Sequence, residues 1–182
     1  MNNKHPHLAK KLLISAIVAI VLLPFVYTLI RFSIYQTDQT SAPITDRSTY
    51  QNWSVDGWLF DEPYTIFPVS SVPEQAVNSE YLFKRVRSPF PLLYDDDAIL
   101  YLVCDLDEMT FSNECKRLKE LCGECRDDFA CNAAYVYAVR GGGYFYEYAL
   151  IDEESHRITY ISFQNCEFAK QYVDSSCLPN KL

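Results

Sequence analysis

The sequence predicts the α+β fold class, with one transmembrane helix at the amino terminus followed by one disulfide-braced domain. Three observations lead to this prediction. Leu12–Ile30 is an uninterrupted uncharged stretch, all seven cysteines lie downstream of it, and the downstream part contains both helix-like and strand-like segments. Helical and antiparallel-strand patterns mixed in one chain are typical of α+β domains.

The apolar stretch is long enough to cross a membrane. Nineteen residues in a helix rise about 28 Å, close to the thickness of the hydrocarbon core. Lys4, Lys10 and Lys11 precede the stretch, whereas Arg31 alone follows it closely. Because cytoplasmic flanks are enriched in Lys and Arg, we expect residues 1–11 to form a cytoplasmic tail and residues 12–31 to form the anchor. The carboxyl-terminal part is then periplasmic or extracellular, on a plasma or inner membrane.

A cleaved secretory signal is the alternative interpretation, since basic residues followed by Leu12–Leu23 resemble one. The apolar stretch continues beyond Pro24 to Ile30, however, and no suitable small-residue cleavage site follows. The nearest one, around Ser41, would have Pro43 just after the cut. We therefore expect the helix to be retained as an anchor.

Composition restricts the partners of the remaining chain. From Phe32 onward, twelve Lys/Arg stand against twenty-four Asp/Glu, a net charge of −12. A domain this acidic is not expected to bind nucleic acid, which requires clustered basic residues, and it favours a protein partner with a basic surface. We interpret residues 32–51 as a polar juxtamembrane linker and residues 52–182 as one extracytoplasmic domain. Asn52-Trp53-Ser54 matches a glycosylation sequon, which matters only in a eukaryotic host.

The first half of the domain is predicted to contain strands and two helices. Trp53 to Phe60 alternates loosely and suggests one or two short strands. Ser71, Pro73 and Glu74 resemble a helix start, so a helix is expected over about Val72–Phe83. The continuously apolar run from Ala98 to Cys104 predicts a buried strand. Ser112 is expected to cap a helix that ends near Leu121.

Three strand-like runs then predict an antiparallel three-strand meander, and a short helix is expected over about Glu167–Val173. The three runs are Ala134–Arg140, Tyr144–Ile151 and Ile158–Phe163.

Six cysteines are predicted to form disulfides, because thiols oxidise outside the cytoplasm. We expect two bridges within the first four, in an order that the sequence leaves open, and a third that joins the last two. Cys104 lies in the buried strand and is the expected odd thiol, inert through burial. The six are Cys115, Cys122, Cys125, Cys131, Cys166 and Cys177.

The Cys122-Gly-Glu-Cys125 segment resembles a dithiol redox motif. It lies at the carboxyl end of a predicted helix, where the dipole disfavours a thiolate, so structural disulfides are the preferred interpretation. Zinc bound by the first four disulfide cysteines is less consistent with their spacing, which has only one short knuckle. The acidic groups around Asp95–Asp97 and Asp105–Glu108 lack the order of a calcium loop. We expect no metal and no cofactor.

Catalysis is not expected either. His156 is the only histidine beyond the linker, and it falls in a predicted turn, whereas a Ser or Cys triad needs a histidine held by a carboxylate beside its nucleophile. We name no catalytic residue.

Tyrosines on the meander form the expected binding surface, unless they are ordinary half-buried packing. If Arg140 pairs with Gly143, Tyr137 faces Tyr146 and the tyrosines lie on one face of the sheet. If Arg140 pairs with Tyr144, they divide between the two faces. The residues of this surface are Tyr135, Tyr137, Tyr144, Tyr146 and Tyr148.

These features together predict a membrane-anchored, extracytoplasmic domain that binds another protein without catalysis, as an accessory subunit of an envelope assembly or an immunity-type inhibitor. Two alternatives belong to other classes. One is a membrane-tethered thiol oxidoreductase that uses Cys122 and Cys125, and the other is a module that binds cell-wall glycans through its aromatic residues.

Overall fold

The computed structural model of the protein describes residues 6–52, 66–68, 73–74, 76–89, 96–122, 134–139 and 146–179. Two compact units divide the chain. The first contains residues 1–41 and 87–95, and the second contains residues 42–86 and 96–182. The elements in chain order are α1 (Pro6–Thr40), a 3-10 helix (Arg47–Asn52), β1 (Asn78–Val86), β2 (Asp97–Asp105), α2 (Glu108–Cys122), β3 (Ala134–Val139), β4 (Tyr146–Asp152), β5 (Arg157–Phe163), α3 (Cys166–Ala169) and a second 3-10 helix (Ser175–Cys177).

The first unit is dominated by α1, which confirms the long apolar helix. Among the described residues it is the one helix long and apolar enough to cross a membrane, by its length and composition, and none of its apolar stretch is buried. Pro24 lies inside α1, and the helix continues on both sides of it. An amino-terminal signal sequence would have the same two properties.

Helix α1 extends further than the anchor, since it ends at Thr40 rather than near Arg31. The hydroxyls of Ser33, Thr37 and Thr40 each donate to a carbonyl four residues back. Such bonds let polar hydroxyl side chains lie on a helix without an external partner. Residues 32–40, the first part of the expected linker, are therefore helical. The sequence did not predict this, because the segment is polar and has no hydrophobic period.

The second unit contains a five-stranded antiparallel sheet with the order β1-β2-β5-β4-β3. Strands β3, β4 and β5 are consecutive neighbours, which confirms the predicted meander. Strand β2 is hydrogen-bonded to a neighbouring strand along both of its edges. For example, Tyr101 pairs with Leu82 of β1 and with Ile161 of β5. The chain thus belongs to the α+β class.

The helix expected over Val72–Phe83 is wrong, because Asn78–Val86 forms strand β1. Tyr81 and Phe83 are aromatic residues that suit a pleated surface, and both lie on the face that forms the main core. Pairing with the apolar strand β2 along its whole length outweighs the local helix-start signal of Ser71 and Glu74.

Helix α2 begins five residues earlier than expected, because Asp107 rather than Ser112 provides its cap. The Asp107 carboxylate accepts hydrogen bonds from the backbone N–H groups of Met109 and Thr110, both at 3.0 Å. Helix α3 is shorter than predicted and is capped by Asn165, whose side chain accepts from the N–H groups of Glu167 and Phe168. The capping residue, not the apolar pattern, sets each start.

The main core lies between one face of the sheet and α2. Paired residues share a face, so Leu102 of β2 stands beside Tyr160 of β5, and both are fully buried. Phe111 and Leu118 of α2 belong to the same cluster, as do Tyr50 and Phe67 from the irregular segments. On the opposite face α3 packs against β2. The sheet is therefore covered on both faces.

We expect replacement of Leu118 by Ala to destabilise the domain by about 2–5 kcal/mol, because Leu118 is fully buried and its removal leaves a cavity. Leu121→Ala on the same helix is the matched control. Leu121 is 51% exposed, and its truncation should change stability by no more than about 0.5 kcal/mol. Urea unfolding of the full chain in detergent measures both, and equal losses would contradict the burial of α2 on the sheet.

Candidate functional site

Six carboxylates meet at one end of the sheet, where the β2–α2 junction lies beside the β4–β5 turn. The backbone N–H of Leu106 donates to the carbonyl of His156 at 3.0 Å and joins the two segments. Arg157 also bridges them, since its Nε and Nη2 donate to the Asp105 carboxylate at 2.6 and 3.1 Å. We call this surface the acidic rim. Its members are Asp105, Asp107, Glu108, Asp152, Glu153 and Glu154.

Hydrogen bonds inside each segment hold the rim in place. The Asp152 carboxylate accepts from the hydroxyl of Ser155 at 2.6 Å and from the backbone N–H of Glu154 at 3.1 Å, so it closes the β4–β5 turn. His156 has φ of 51°, in the left-handed region that a non-glycine residue adopts only when its surroundings impose it. The ring of His156 packs on that of Phe111 at 5.1 Å, which ties the turn to α2.

Hydrogen bonds lower the pKa of each of the three rim aspartates. The hydrogen bond from Arg157 lowers the pKa of Asp105, the hydroxyl of Thr110 lowers that of Asp107, and the hydroxyl of Ser155 lowers that of Asp152. Each bond favours the ionised carboxylate. These carboxylates therefore have structural partners, whereas Glu153 and Glu154 are exposed acids of the same turn.

An open cleft of about 710 Å³ adjoins the rim, between α2 and the β4–β5 turn. It contains an aromatic pair, one thiol, two lysines and rim carboxylates. A cleft with mixed charge and a ring surface suits a polypeptide with both cationic and apolar side chains. We call it the α2 cleft, and its main lining residues are Phe111, Cys115, Lys116, Lys119, Glu153 and His156.

Cys115 and His156 both line the α2 cleft, a proximity that sequence reasoning missed because it expected His156 in a solvated turn. Within the described part of the chain, no hydrogen bond joins the two side chains. Burial raises the pKa of the Cys115 thiol. The positive charge of Lys119 opposes this shift, whereas Glu153 and Glu114 add to it, and the net effect is a raised pKa. A protonated thiol is a poor nucleophile. Among the described residues, no group of three or more His, Cys, Asp or Glu is arranged to hold a metal ion.

A buried polar network joins α2 to the sheet behind the cleft. The Tyr160 hydroxyl donates to Glu114 at 2.6 Å, and Arg117 donates to both oxygens of Glu114. Arg117 also donates to the carbonyl of Ile66 at 2.5 Å. Glu114 and Arg117 are three residues apart on one helix, a spacing at which opposite charges form an ion pair, so the sequence could have predicted this contact. Nothing in the sequence indicated that Tyr160 joins them. The network fixes the position of α2, and thereby one wall of the cleft.

Four of the seven cysteines have described side chains: Cys104, Cys115, Cys166 and Cys177. The first three of them are free thiols. The expected bridge between Cys166 and Cys177 is not formed in the structure. Cys104 is fully buried, and burial raises its pKa to about 12, in agreement with an inert thiol. Because Cys115 is a free thiol, the two bridges expected within the first four cysteines cannot both form. The side chains of Cys122, Cys125 and Cys131 lie outside the described residues, so a single bridge among these three stays a prediction.

The tyrosines of the meander follow neither of the two expected registers. Tyr137 pairs with Tyr148 and Tyr146 pairs with Val139, so residues of β3 and β4 are offset by two positions from the first alternative. The parity is that of the first alternative, which assigns these positions to one face of the sheet. Tyr144 lies outside the described residues.

Tyr148 is not a surface residue, contrary to the expected binding surface. It is fully buried, and its hydroxyl donates to the carbonyl of Cys177 at 2.7 Å. Its ring meets that of Phe163 edge-on, while the half-buried ring of Tyr146 stacks on Phe163 at 5.1 Å. The carboxyl-terminal segment covers this face, so these two tyrosines are packing residues.

Comparison with known protein families, with characterised proteins and with solved structures finds no match to this chain. The acidic rim, the α2 cleft and the apolar helix are therefore the features from which a function can be inferred.

We expect the second unit to lose stability between about pH 9 and 12. Burial raises the pKa of Tyr101 and of Cys104 to about 12 and that of Tyr160 well above its ordinary value. A raised pKa in the folded state means that the stabilisation is complete below the pKa of the unfolded chain, about 8.5 for Cys and 10 for Tyr, and is lost as the pH rises through the folded value.

Urea midpoints measured from pH 8 upward check this expectation. Tyr101→Phe removes one titrating group, so its midpoint should fall less steeply with pH than that of the natural protein. Tyr172→Phe is the comparison variant, because burial also raises the pKa of Tyr172 but this residue is less buried than Tyr101. Its slope should differ from the natural one in the same direction and by less. A midpoint independent of pH in this range would contradict the burial of these groups.

Proposed function

We propose that the protein is a single-pass membrane protein whose extracytoplasmic domain binds a basic partner protein without catalysis. In this proposal α1 remains in the membrane and raises the local concentration of the domain at its surface. The partner is a component of an envelope assembly, or a basic protein that the domain inhibits. Support for the anchor comes from the length and apolar composition of α1.

The acidic rim is the observation that carries the proposed binding. Six carboxylates converge there, and their main cationic partner within the rim is Arg157, which is engaged with Asp105. Several negative charges on one surface create an electrostatic field that increases the rate at which a basic protein associates with it. The carboxylates are held in place before a partner binds. The hydrogen bonds accepted by Asp107 fix the β2–α2 junction, and those accepted by Asp152 fix the β4–β5 turn.

The α2 cleft complements the rim with contact area. Phe111 and His156 supply a ring surface, and aromatic anchors in a pocket carry much of the energy in protein interfaces. Lys116 and Lys119 add cations across the cleft from Glu153, which would select partners with a particular charge order. A rim for steering and a cleft for specific contact favour protein binding.

The thiol oxidoreductase alternative receives less support. Helix α2 ends at Cys122, so the Cys122–Cys125 motif starts at the carboxyl end of a helix, where the dipole disfavours a thiolate. The glycan-binding alternative depended on exposed tyrosines, and the packing of Tyr146 and Tyr148 on Phe163 weakens it.

The orientation of the proposed anchor is tested by reporters fused to the full chain. Alkaline phosphatase, which folds only where disulfides form, should be active when fused after Leu182 and inactive when fused before Met1. A green fluorescent reporter should show the opposite pattern. Phosphatase activity at the amino end alone would contradict the proposed orientation.

The role of the rim is tested with an immobilised oligolysine peptide as the probe and the full chain in nanodiscs. Glu153→Gln with Glu154→Gln should reduce the association rate by roughly threefold to tenfold at low salt, because both acids are exposed and neither caps an element. The control is Glu74→Gln with Glu167→Gln, which changes the net charge equally but away from the rim. Surface plasmon resonance measures both, and equal losses would contradict a localised binding surface.

A further inference from the structure

Within the first unit, residues that follow β1 are bound to the carboxyl-terminal part of α1. Arg87 donates to both oxygens of Asp38, from Nε at 2.9 Å and from Nη2 at 3.1 Å, and its backbone N–H donates to the same carboxylate at 3.1 Å. The Asp38 side chain is only 12% exposed. A bidentate pair of this kind has a defined geometry, so residue 87 is held beside residue 38.

A second contact lies nearer the apolar stretch. Arg31 directly follows that stretch, and its Nη2 donates to the carbonyl of Ser88 at 2.7 Å. Ser88 is buried. An arginine has five N–H donors, and this is the one hydrogen bond that Arg31 makes to the described part of the chain. Its Nε is buried, so the remaining N–H groups of the two terminal nitrogens are the donors left for the phosphate oxygens of lipid.

The depth of these contacts follows from the helix rise. If Leu12–Ile30 occupies the hydrocarbon core, Arg31 lies at its edge, and Asp38 lies about 10 Å further along α1. The headgroup layer is about 5–8 Å thick on each side. Because the Arg31 side chain meets the Ser88 carbonyl, residue 88 lies within the reach of one side chain from this edge.

Aromatic residues around Arg31 mark the same depth. Tyr27 and Phe32 are half exposed, and the ring of Phe32 contacts that of Tyr35 at 6.2 Å between centroids. Tyr and Trp concentrate at the boundary between hydrocarbon and headgroups, and Tyr27 and Tyr35 lie on either side of Arg31 in the sequence.

We propose that residue 88 lies in the lipid headgroup layer and residue 87 at its outer surface, held there by Arg31 and Asp38, so that the chain has a second contact with the membrane surface besides its helix. This proposal rests on the proposed anchoring of α1. The partner is the headgroup layer of a phospholipid bilayer, and Arg31 and Arg87 are the groups that recognise its phosphates.

Nuclear magnetic resonance of the isotope-labelled full chain in phospholipid nanodiscs tests the proposal without altering the sequence. A nitroxide attached to the lipid headgroup should broaden the amide signals of Arg87 and Ser88. A nitroxide near the end of the acyl chain should broaden the amide signals of residues around Val21 and leave those of Arg87 and Ser88 sharp.

The role of Asp38 is tested in the same nanodiscs. Asp38→Ala removes the bidentate ion pair with Arg87 and leaves the bond from Arg31 to the Ser88 carbonyl, so broadening of the Arg87 amide by the headgroup nitroxide should be reduced. Glu154→Ala removes an exposed carboxylate elsewhere and should leave that broadening unchanged. Undiminished broadening in Asp38→Ala would overturn the role assigned to the ion pair.

The outcomes separate this inference from the anchor itself. If the chain-end nitroxide fails to broaden the signals around Val21, α1 is not in the bilayer and the proposed anchoring fails. If those signals broaden while the Arg87 and Ser88 amides stay sharp with the headgroup nitroxide, the anchor stands and the headgroup contact is overturned.

Discussion

Burial of strand β2 is the constraint on which the rest of the second unit depends. Ala98, Ile99, Leu100 and Leu102 have no exposed surface, although their side chains alternate between the two faces of the sheet. A strand that is apolar on both faces is stable only when both are covered. Helix α2 covers one face and the carboxyl-terminal segment covers the other, and these two layers decide where clefts and exposed groups remain.

Acidic residues at both ends of the buried strand β2 form ion pairs and hydrogen bonds with neighbouring segments. Asp96 pairs with Arg85 at 2.8 Å, Asp97 accepts from Asn165, and Asp105 accepts from Arg157. Each carboxylate ties β2 to a different neighbour while it discourages association through the strand. The same residues, at the Asp105 end, begin the acidic rim. The proposed binding surface is thus a consequence of how strand β2 ends.

Polar groups inside the domain set the position of α2 more narrowly than apolar packing does. Apolar contacts alone tolerate small shifts of a helix, whereas the bonds from Tyr160 and Arg117 to Glu114 require one orientation. Breaking one partner of such a network leaves the others buried without compensation. The walls of the α2 cleft therefore depend on residues that do not line it.

The sequence by itself determined the elements whose signals are local and strong. Nineteen uncharged residues predicted the long helix, the run from Ala98 to Cys104 predicted the buried strand, and the alternation from Ala134 onward predicted the meander. Each of these patterns is a periodicity or a length, which depends on the chain alone. The thiol expected to be inert, Cys104, also follows from its place in an apolar run.

Only the tertiary structure decided the features that depend on contacts between segments distant in the sequence. Asn78–Val86 became a strand because β2 lies beside it, against a helix-start signal in its own sequence. Tyr148 became a core residue because the segment around Cys177 covers its face, and Cys115 came to lie in one cleft with His156 because a turn and a helix are adjacent. Pairing, register and coverage are long-range contacts, and no window of sequence contains both partners of such a contact.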